Sequence, residues 1–92
     1  MPVTIKNVLS HELIGLKTKI LGSSDPGLRN ARGIVLDETK NTLTIQLESR
    51  KLIVPKSHTV FLFHVDEQNS VRIEGESILG RPHDRIRAGQ RR

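Results

Sequence analysis

From residue 16 to residue 76, apolar and polar positions alternate in short runs that are separated by turn-forming residues. The clearest alternation places Leu43, Ile45 and Leu47 between threonine, glutamine and glutamate. A period of two residues is typical of a strand with one buried face. Short strands are predicted at residues 16–21, 33–36, 42–48, 51–54, 59–65 and 71–74.

Short strands joined by tight turns predict a mainly β protein, and in particular a small antiparallel barrel of five to seven strands. A barrel is favoured over an open sheet because it leaves no exposed edge, and 92 residues are too few for two packed sheets. Residues 60–63 are apolar on both strand faces. Phe61 and Phe63 are therefore expected in the core, and the opposite face is expected to lie under a terminal helix or a partner.

The N-terminal residues show a helical period instead. Residues 4–14 are predicted to form a short amphipathic helix that ends at Gly15. Its apolar stripe consists of Ile5, Val8, Leu9 and Leu13. Two interpretations of this stripe remain open: it caps the barrel, or it is the binding surface for a protein partner. Different residues of the stripe can also serve each purpose.

The positive charge of the chain is concentrated near its C-terminus. The formal net charge is +5, of which residues 81–92 hold +4 and residues 1–80 only +1. Pro82 suits the first turn of a helix, so a short basic helix and tail are predicted at 81–92. One RNA-binding domain is thus expected, with a helix at about 4–14, a barrel at about 16–80 and this basic segment. Its arginines are Arg81, Arg85, Arg87, Arg91 and Arg92.

This charge distribution favours a polyanionic partner, since arginine matches the geometry of phosphate. The chain has no Trp or Tyr, and both Phe residues are expected in the core, so no aromatic platform is left for base stacking. Structured RNA, bound through phosphates and 2′-hydroxyls, is therefore predicted. Lys56, Lys17 and Lys19 are predicted to join the arginines in this contact. The alternative is that the tail and the lysines are merely solvated.

The sequence contains no constellation that suggests catalysis or metal binding. It has no cysteine, and its four histidines lack the spacing of metal ligands. Asp37 and Glu38 are neighbours on a predicted strand and point to opposite faces, so they are not expected to share a proton or a metal. No catalytic residue, metal site or cofactor is expected on this chain. The lack of a long apolar run predicts no membrane partner and a cytoplasmic location.

Four segments of the sequence resemble a known family. They are residues 11–16 (HELIGL), 37–43 (DETKNTL), 54–56 (VPK) and 81–86 (RPHDRI). In their order and spacing, the chain resembles archaeal ribonuclease P protein component 1, a family with eukaryotic relatives in nuclear ribonuclease P. The resemblance covers about residues 4–87, and residues 37–43 are its most specific part.

The resemblance implies a fold, a function and a set of partners. The implied fold is an Sm-like antiparallel barrel flanked by terminal helices. The implied function is that of a non-catalytic subunit in a ribonucleoprotein that removes the 5′ leader from precursor tRNA, with the catalytic magnesium held by the RNA. The implied partners are a zinc-ribbon protein subunit, the specificity domain of the ribonuclease P RNA and, indirectly, precursor tRNA.

Two other functions remain open at this point. One is a general RNA-binding or scaffold module of Sm-like or ribosomal type, with no link to tRNA processing. The other is a protein–protein adaptor whose basic tail is incidental. The RNA that co-purifies with the chain would distinguish the three functions, because they predict ribonuclease P RNA, mixed RNA and no RNA.

Overall fold

A computed structural model of the protein describes residues 13–80. Its strands are β1 (Lys17–Ser23), β2 (Arg32–Glu38), β3 (Thr42–Gln46), β4 (Lys51–Pro55), β5 (Thr59–His64) and β6 (Ser70–Glu74). They belong to one antiparallel sheet in the order β4-β3-β2-β1-β5-β6. The predicted mainly β architecture and the number of strands are confirmed, but the sheet is open, because its edge strands β4 and β6 do not pair with each other. Two 3₁₀ turns of this region lie at Pro26–Leu28 and Gly75–Ile78.

The two predicted terminal helices lie almost entirely outside the described residues. Of the helix predicted at 4–14, only Leu13 and Ile14 are described, and neither is helical. Ile14 and Gly15 form a turn in which Gly15 has a φ of +95°, a conformation that favours glycine. The Gly15 N–H donates to the carbonyl oxygen of Val35 at 2.8 Å and joins this turn to the sheet.

The alternation of the sequence explains which side of each strand is buried. In β3, Leu43 and Ile45 are buried, whereas Thr42, Thr44 and Gln46 are half-buried. Successive side chains of a strand point to opposite faces, so an alternating sequence gives one apolar face and one polar face. The same rule separates the core from the solvent-facing side of the whole sheet.

One hydrophobic core lies against the inner face of the sheet. Phe61 and Phe63 are fully buried and stack with their ring centroids 5.5 Å apart, which confirms their predicted place. Leu13 is also fully buried here, so the core interpretation of the apolar stripe holds for this residue. The core comprises Leu13, Ile20, Leu28, Val35, Leu43, Ile45, Val54, Phe61, Phe63, Ile73 and Ile78.

Two irregularities in strand register help the sheet to curl around this core. The pairing of β1 with β5 shifts between Ile20 and Gly22, and the pairing of β2 with β3 shifts between Val35 and Asp37. An extra residue in one strand of a pair bends that strand and increases its twist. A short sheet can then adopt the curvature that a barrel-like fold requires.

The two edge strands, β4 and β6, approach each other at their C-terminal ends. Gly75 begins the 3₁₀ turn after β6 and lies against the carbonyl oxygen of Lys56, which directly follows β4. A side chain at Gly75 would collide with that oxygen. The turn between β4 and β5 is held by the Thr59 hydroxyl, which donates to the carbonyl oxygen of Pro55 at 2.9 Å.

Candidate nucleic-acid interface

Two rows of residues cross the outer face of the sheet at right angles to the strands. In the first row, Lys17 of β1 lies between Ile34 of β2 and His64 of β5. Its side chain is exposed, whereas the neighbouring Thr18 is buried and points inward. From β4 to β6, this row consists of Lys51, Gln46, Ile34, Lys17, His64 and Ser70.

The second row runs parallel to the first, two residues further along β1. Lys19 lies between Arg32 of β2 and Leu62 of β5, and Leu62 in turn pairs with Arg72 of β6. Arg32 and Arg72 are exposed, and Lys19 is half-buried. Neighbouring strands are about 4.8 Å apart and the two rows about 7 Å apart. Four cations from three strands, Lys17, Lys19, Arg32 and Arg72, therefore lie close together on one surface, and a fifth, Lys51, ends the first row on β4.

We call Lys17, Lys19, Arg32 and Arg72 the basic face. No residue in either row is acidic, and within residues 13–80 none of the four cations forms an ion pair. Lys19 and Arg32 are directly opposite each other. Like charges in that position destabilise a strand pair. The electrostatics of the basic face therefore favour a bound polyanion.

The basic face offers charge rather than aromatic surface. Both Phe residues are buried on the opposite side of the sheet, and the chain has no Trp or Tyr. The apolar members of the two rows are the aliphatic residues Ile34 and Leu62. Since stacking of single-stranded bases depends on aromatic side chains, this surface suits phosphates better than splayed bases.

Lys56 was predicted to contact RNA, and the structure corrects this prediction. Its side chain is fully buried, and its ammonium donates to Glu38 Oε2 at 2.7 Å. The same ammonium donates to the carbonyl oxygens of Gly80 at 2.8 Å and Lys40 at 3.3 Å. A cation enclosed in this way is not accessible to a phosphate at the surface. Because Lys56 follows a proline, the sequence predicted a lysine in an exposed loop. The position of a residue after a proline does not indicate whether its side chain is buried.

Within residues 13–80, no group of three His, Cys, Asp or Glu side chains is arranged to hold a metal ion. No buried side-chain nitrogen or oxygen of this region lacks a hydrogen-bond partner. None of its helices has the length and apolar character needed to cross a membrane. The basic face is therefore the candidate site that the geometry supports.

Comparison with known proteins places the chain in one family. Residues 6–88 match the family model of ribonuclease P/MRP, subunit p29. Ribonuclease P protein component 1 of Thermococcus sibiricus is 48% identical over 85 residues, covering 92% of this chain and 68% of the relative. That of Methanosphaera stadtmanae is 38% identical over 85 residues, covering 92% and 91%.

A solved structure supports the same conclusion. Mth11, described as a homologue of human RNase P protein Rpp29, is 41% identical and superposes with a TM-score of 0.60, covering 83% of this chain and 99% of its own. The chain belongs to the ribonuclease P/MRP subunit p29 family. It is a protein subunit of ribonuclease P, and nothing in these comparisons supports either alternative function.

The p29-family fold brings together some of the predicted site residues and not others. Lys17 and Lys19 lie on one face of β1, as predicted from their spacing. Arg32 and Arg72 were missed, because each is a single cation in its own strand. Only the order of the strands makes them neighbours of Lys19 and Leu62. The remaining predicted residues, Ile5, Val8, Leu9, Arg81, Arg85, Arg87, Arg91 and Arg92, lie outside the described residues.

Proposed function

We propose that this ribonuclease P subunit binds the RNA of the enzyme through the basic face. The observation that supports the proposal is the pair of rows, whose members include no acidic residue, in which four outward cations lie close together and Lys19 lies opposite Arg32. A phosphate between these two side chains removes their mutual repulsion. Neutralised phosphates also release their counterions, which makes such binding favourable and dependent on salt.

The mode of binding follows from the chemistry of the surface. Lysine and arginine on the outer face reach phosphate oxygens and ribose hydroxyls, and the aliphatic Ile34 and Leu62 between them add no base-specific hydrogen bonds. Contacts of this kind fix the position of a protein on a folded RNA and do not read its bases. The protein is then a structural subunit, and the chemistry of cleavage belongs to the RNA.

The proposal includes the regions outside residues 13–80. The C-terminal arginines contact the same RNA as the basic face, in its specificity domain, and Ile5, Val8 and Leu9 contact the zinc-ribbon subunit. The subunit is linked to precursor tRNA only through its partners, and the RNA subunit binds the magnesium. The assembly acts in the cytoplasm. The net charge of +4 in residues 81–92 supports the first of these statements. The others are proposed from the resemblance of the chain to archaeal ribonuclease P protein component 1.

A salt titration tests the basic face. The full chain and the variant Lys17→Gln, Lys19→Gln, Arg32→Gln are compared for binding to the ribonuclease P RNA over a range of salt concentrations. Each lost phosphate contact reduces the slope of log affinity against log salt by roughly 0.7–0.9, so we expect a slope flatter by about two to three units. The decrease in affinity is expected to be similar for other structured RNAs, since bases are not read.

A matched control removes the same number of charges from elsewhere. Arg29, Lys40 and Arg50 are exposed and lie in loops outside the two rows. The variant Arg29→Gln, Lys40→Gln, Arg50→Gln therefore has the same net charge as the test variant, and its slope should stay within about one unit of the wild-type value. Parallel slopes for the test variant and the wild type would contradict the proposal. If the slopes of both variants are flattened equally, the protein binds the RNA by general electrostatic attraction and the basic face has no special role.

A further inference from the structure

The outer face of the sheet carries a ring among its cations. Of the described residues that form the two rows, His64 is the only one with an aromatic side chain. It is exposed at the end of β5, on the same face as Leu62, whereas Phe61 and Phe63 are buried in the core. The phosphate contacts of the basic face make no use of this ring.

The imidazole of His64 is held in place by its neighbour on β6. Its Nδ1 lies 2.7 Å from the hydroxyl oxygen of Ser70, the residue that pairs with His64 across the two strands. This hydrogen bond restricts rotation of the ring, so less conformational entropy is lost when a ligand packs against it. The bond uses one edge of the imidazole and none of its π surface.

Cations lie on both sides of this ring. Lys17 is the direct neighbour of His64 on β1, and its diagonal neighbours are Lys19 on β1 and Arg72 on β6. Residues directly opposite each other in an antiparallel pair are about 5 Å apart, and diagonal neighbours are about 7–8 Å apart. A nucleotide whose base lies on His64 therefore has a cation within reach of the phosphate on either side of it.

Leu62 extends the surface that the ring offers. It lies two residues before His64 on the same face of β5 and is half-buried, so its methyl groups continue the apolar surface of the imidazole. Histidine is one of the side chains on which RNA bases stack, and stacking tolerates any base because every base has a π face. Bases inside a duplex are already stacked on both sides, so an unpaired nucleotide supplies a free face most readily.

We propose that His64 is a base-stacking residue of this surface and that its ligand is one unpaired nucleotide of the RNA. The base packs on the imidazole and Leu62, and the adjoining phosphates contact Lys17, Lys19 and Arg72. The inference rests on the proposed function, since it places the nucleotide among the cations of the basic face. It adds a preference for unpaired over paired nucleotides without any reading of base identity.

Substitutions in the full chain distinguish a stacked base from a polar contact. His64→Asn keeps a polar side chain without a ring, and His64→Phe keeps a ring without the polar atoms. Loss of one stacked base weakens binding roughly fivefold to a hundredfold, which we expect for His64→Asn with the ribonuclease P RNA. The affinity of His64→Phe should stay within about threefold of the wild type, because the stack remains. Since His64 is exposed, neither substitution disturbs the core.

A matched control changes another exposed histidine of the described residues. His58 lies in the β4–β5 turn, six residues before His64 and therefore about 20 Å from it along β5. Its φ of 61° is a conformation that asparagine tolerates. His58→Asn should leave the affinity within about twofold of the wild type, since a base stacked on His64 does not reach this turn.

Short oligonucleotides separate the effect of the bases from that of the phosphates. Decauridylate and an abasic decamer with the same number of phosphates are compared at about 0.05 M salt, where phosphate contacts are strong. The wild type and His64→Phe should bind decauridylate at least about fivefold more tightly than the abasic decamer. For His64→Asn, this preference should fall below about twofold, because the phosphates are the same in both decamers.

The outcomes separate this inference from the proposed function. The stacking role would be overturned if His64→Asn bound the ribonuclease P RNA as tightly as the wild type, or if His64→Phe lost as much affinity as His64→Asn. It would also be overturned if the wild type showed no preference for decauridylate, or if His64→Asn kept that preference. In each case the proposed function stands if the variant Lys17→Gln, Lys19→Gln, Arg32→Gln still flattens the salt slope. If that slope is also unchanged, the basic face itself is wrong.

Discussion

Lys56 and Glu38 show how two charged side chains are accommodated inside a small barrel. Both are fully buried, and their charges compensate each other at 2.7 Å, with carbonyl oxygens of Lys40 and Gly80 as additional acceptors. Each member of such a pair depends on the other, because a single buried charge has neither water nor a counter-ion. The pair therefore behaves as one unit on mutation.

At the residue scale, we predict that Lys56→Met alone lowers the free energy of unfolding by about 3–5 kcal/mol, because it leaves the Glu38 carboxylate buried without its cation. The double variant Glu38→Met, Lys56→Met should lose much less, since it buries no charge. Urea denaturation of the wild type and both variants measures this difference. A single variant as stable as the double variant would show that Glu38 finds another partner or water.

The turn between β5 and β6 is closed by hydrogen bonds to the Asp66 carboxylate. Asp66 Oδ1 accepts from the backbone N–H groups of Gln68 and Asn69, both at 2.8 Å, and the Asn69 amide donates to both carboxylate oxygens. The Asn69 side chain, and then the Gln68 N–H, hold the pKa of Asp66 below its ordinary value of 3.8. All of these groups favour the ionised carboxylate, which in turn keeps the turn closed.

At the element scale, we predict that Asn69→Ala raises the pKa of Asp66 toward its ordinary value. A carboxyl group whose pKa is lowered by folding stabilises the native state above its unfolded pKa, and this contribution is lost as the pH falls through the folded pKa. Asn69→Ala should therefore reduce the loss of stability on acidification. NMR titration of the Asp66 carboxyl carbon measures the pKa. Gln68→Ala is the control, because it keeps the backbone N–H and should leave the pKa nearly unchanged.

Across residues 13–80, the two edge strands of the sheet are brought together by a close backbone approach rather than by strand pairing. Gly75, after β6, lies against the carbonyl oxygen of Lys56, after β4. The same corner holds the Lys56 ammonium and Gly80. One region of the barrel thus combines the approach of the edges, the buried ion pair and the hydrogen-bonded backbone of Gly80.

At the scale of the whole molecule, we predict that Gly75→Ala lowers the free energy of unfolding by at least about 2 kcal/mol. Its Cβ would collide with a backbone carbonyl, which cannot move without separating the two ends of the sheet. Gly22→Ala is the matched control, since the nearest atoms to a Cβ there belong to Val60 at 3.9 Å, an ordinary contact. Thermal and urea unfolding measure both. A Gly75→Ala variant as stable as Gly22→Ala would mean that the edges separate at little cost.

The sequence by itself determined the elements of this protein. Alternation in 42–48, the turn residues between the runs and the apolar stretch 60–63 placed β3, the loops and the buried Phe61 and Phe63. It also placed Lys17 and Lys19 on one face of β1. All of these depend on contacts between residues near each other in the chain or on a period of two, which a strand imposes wherever it lies in the sheet.

Only the tertiary structure decided which elements are neighbours, and with this the composition of the basic face. Arg32 and Arg72 join Lys19 because β2 and β5 both pair with β1, and β6 with β5, a lateral order that arises from contacts distant in sequence. The burial of Lys56 has the same origin, since its partner Glu38 lies on another strand. A lysine in a loop has the same local pattern whether it faces water or a buried carboxylate, so its environment is set by the packing of the whole chain.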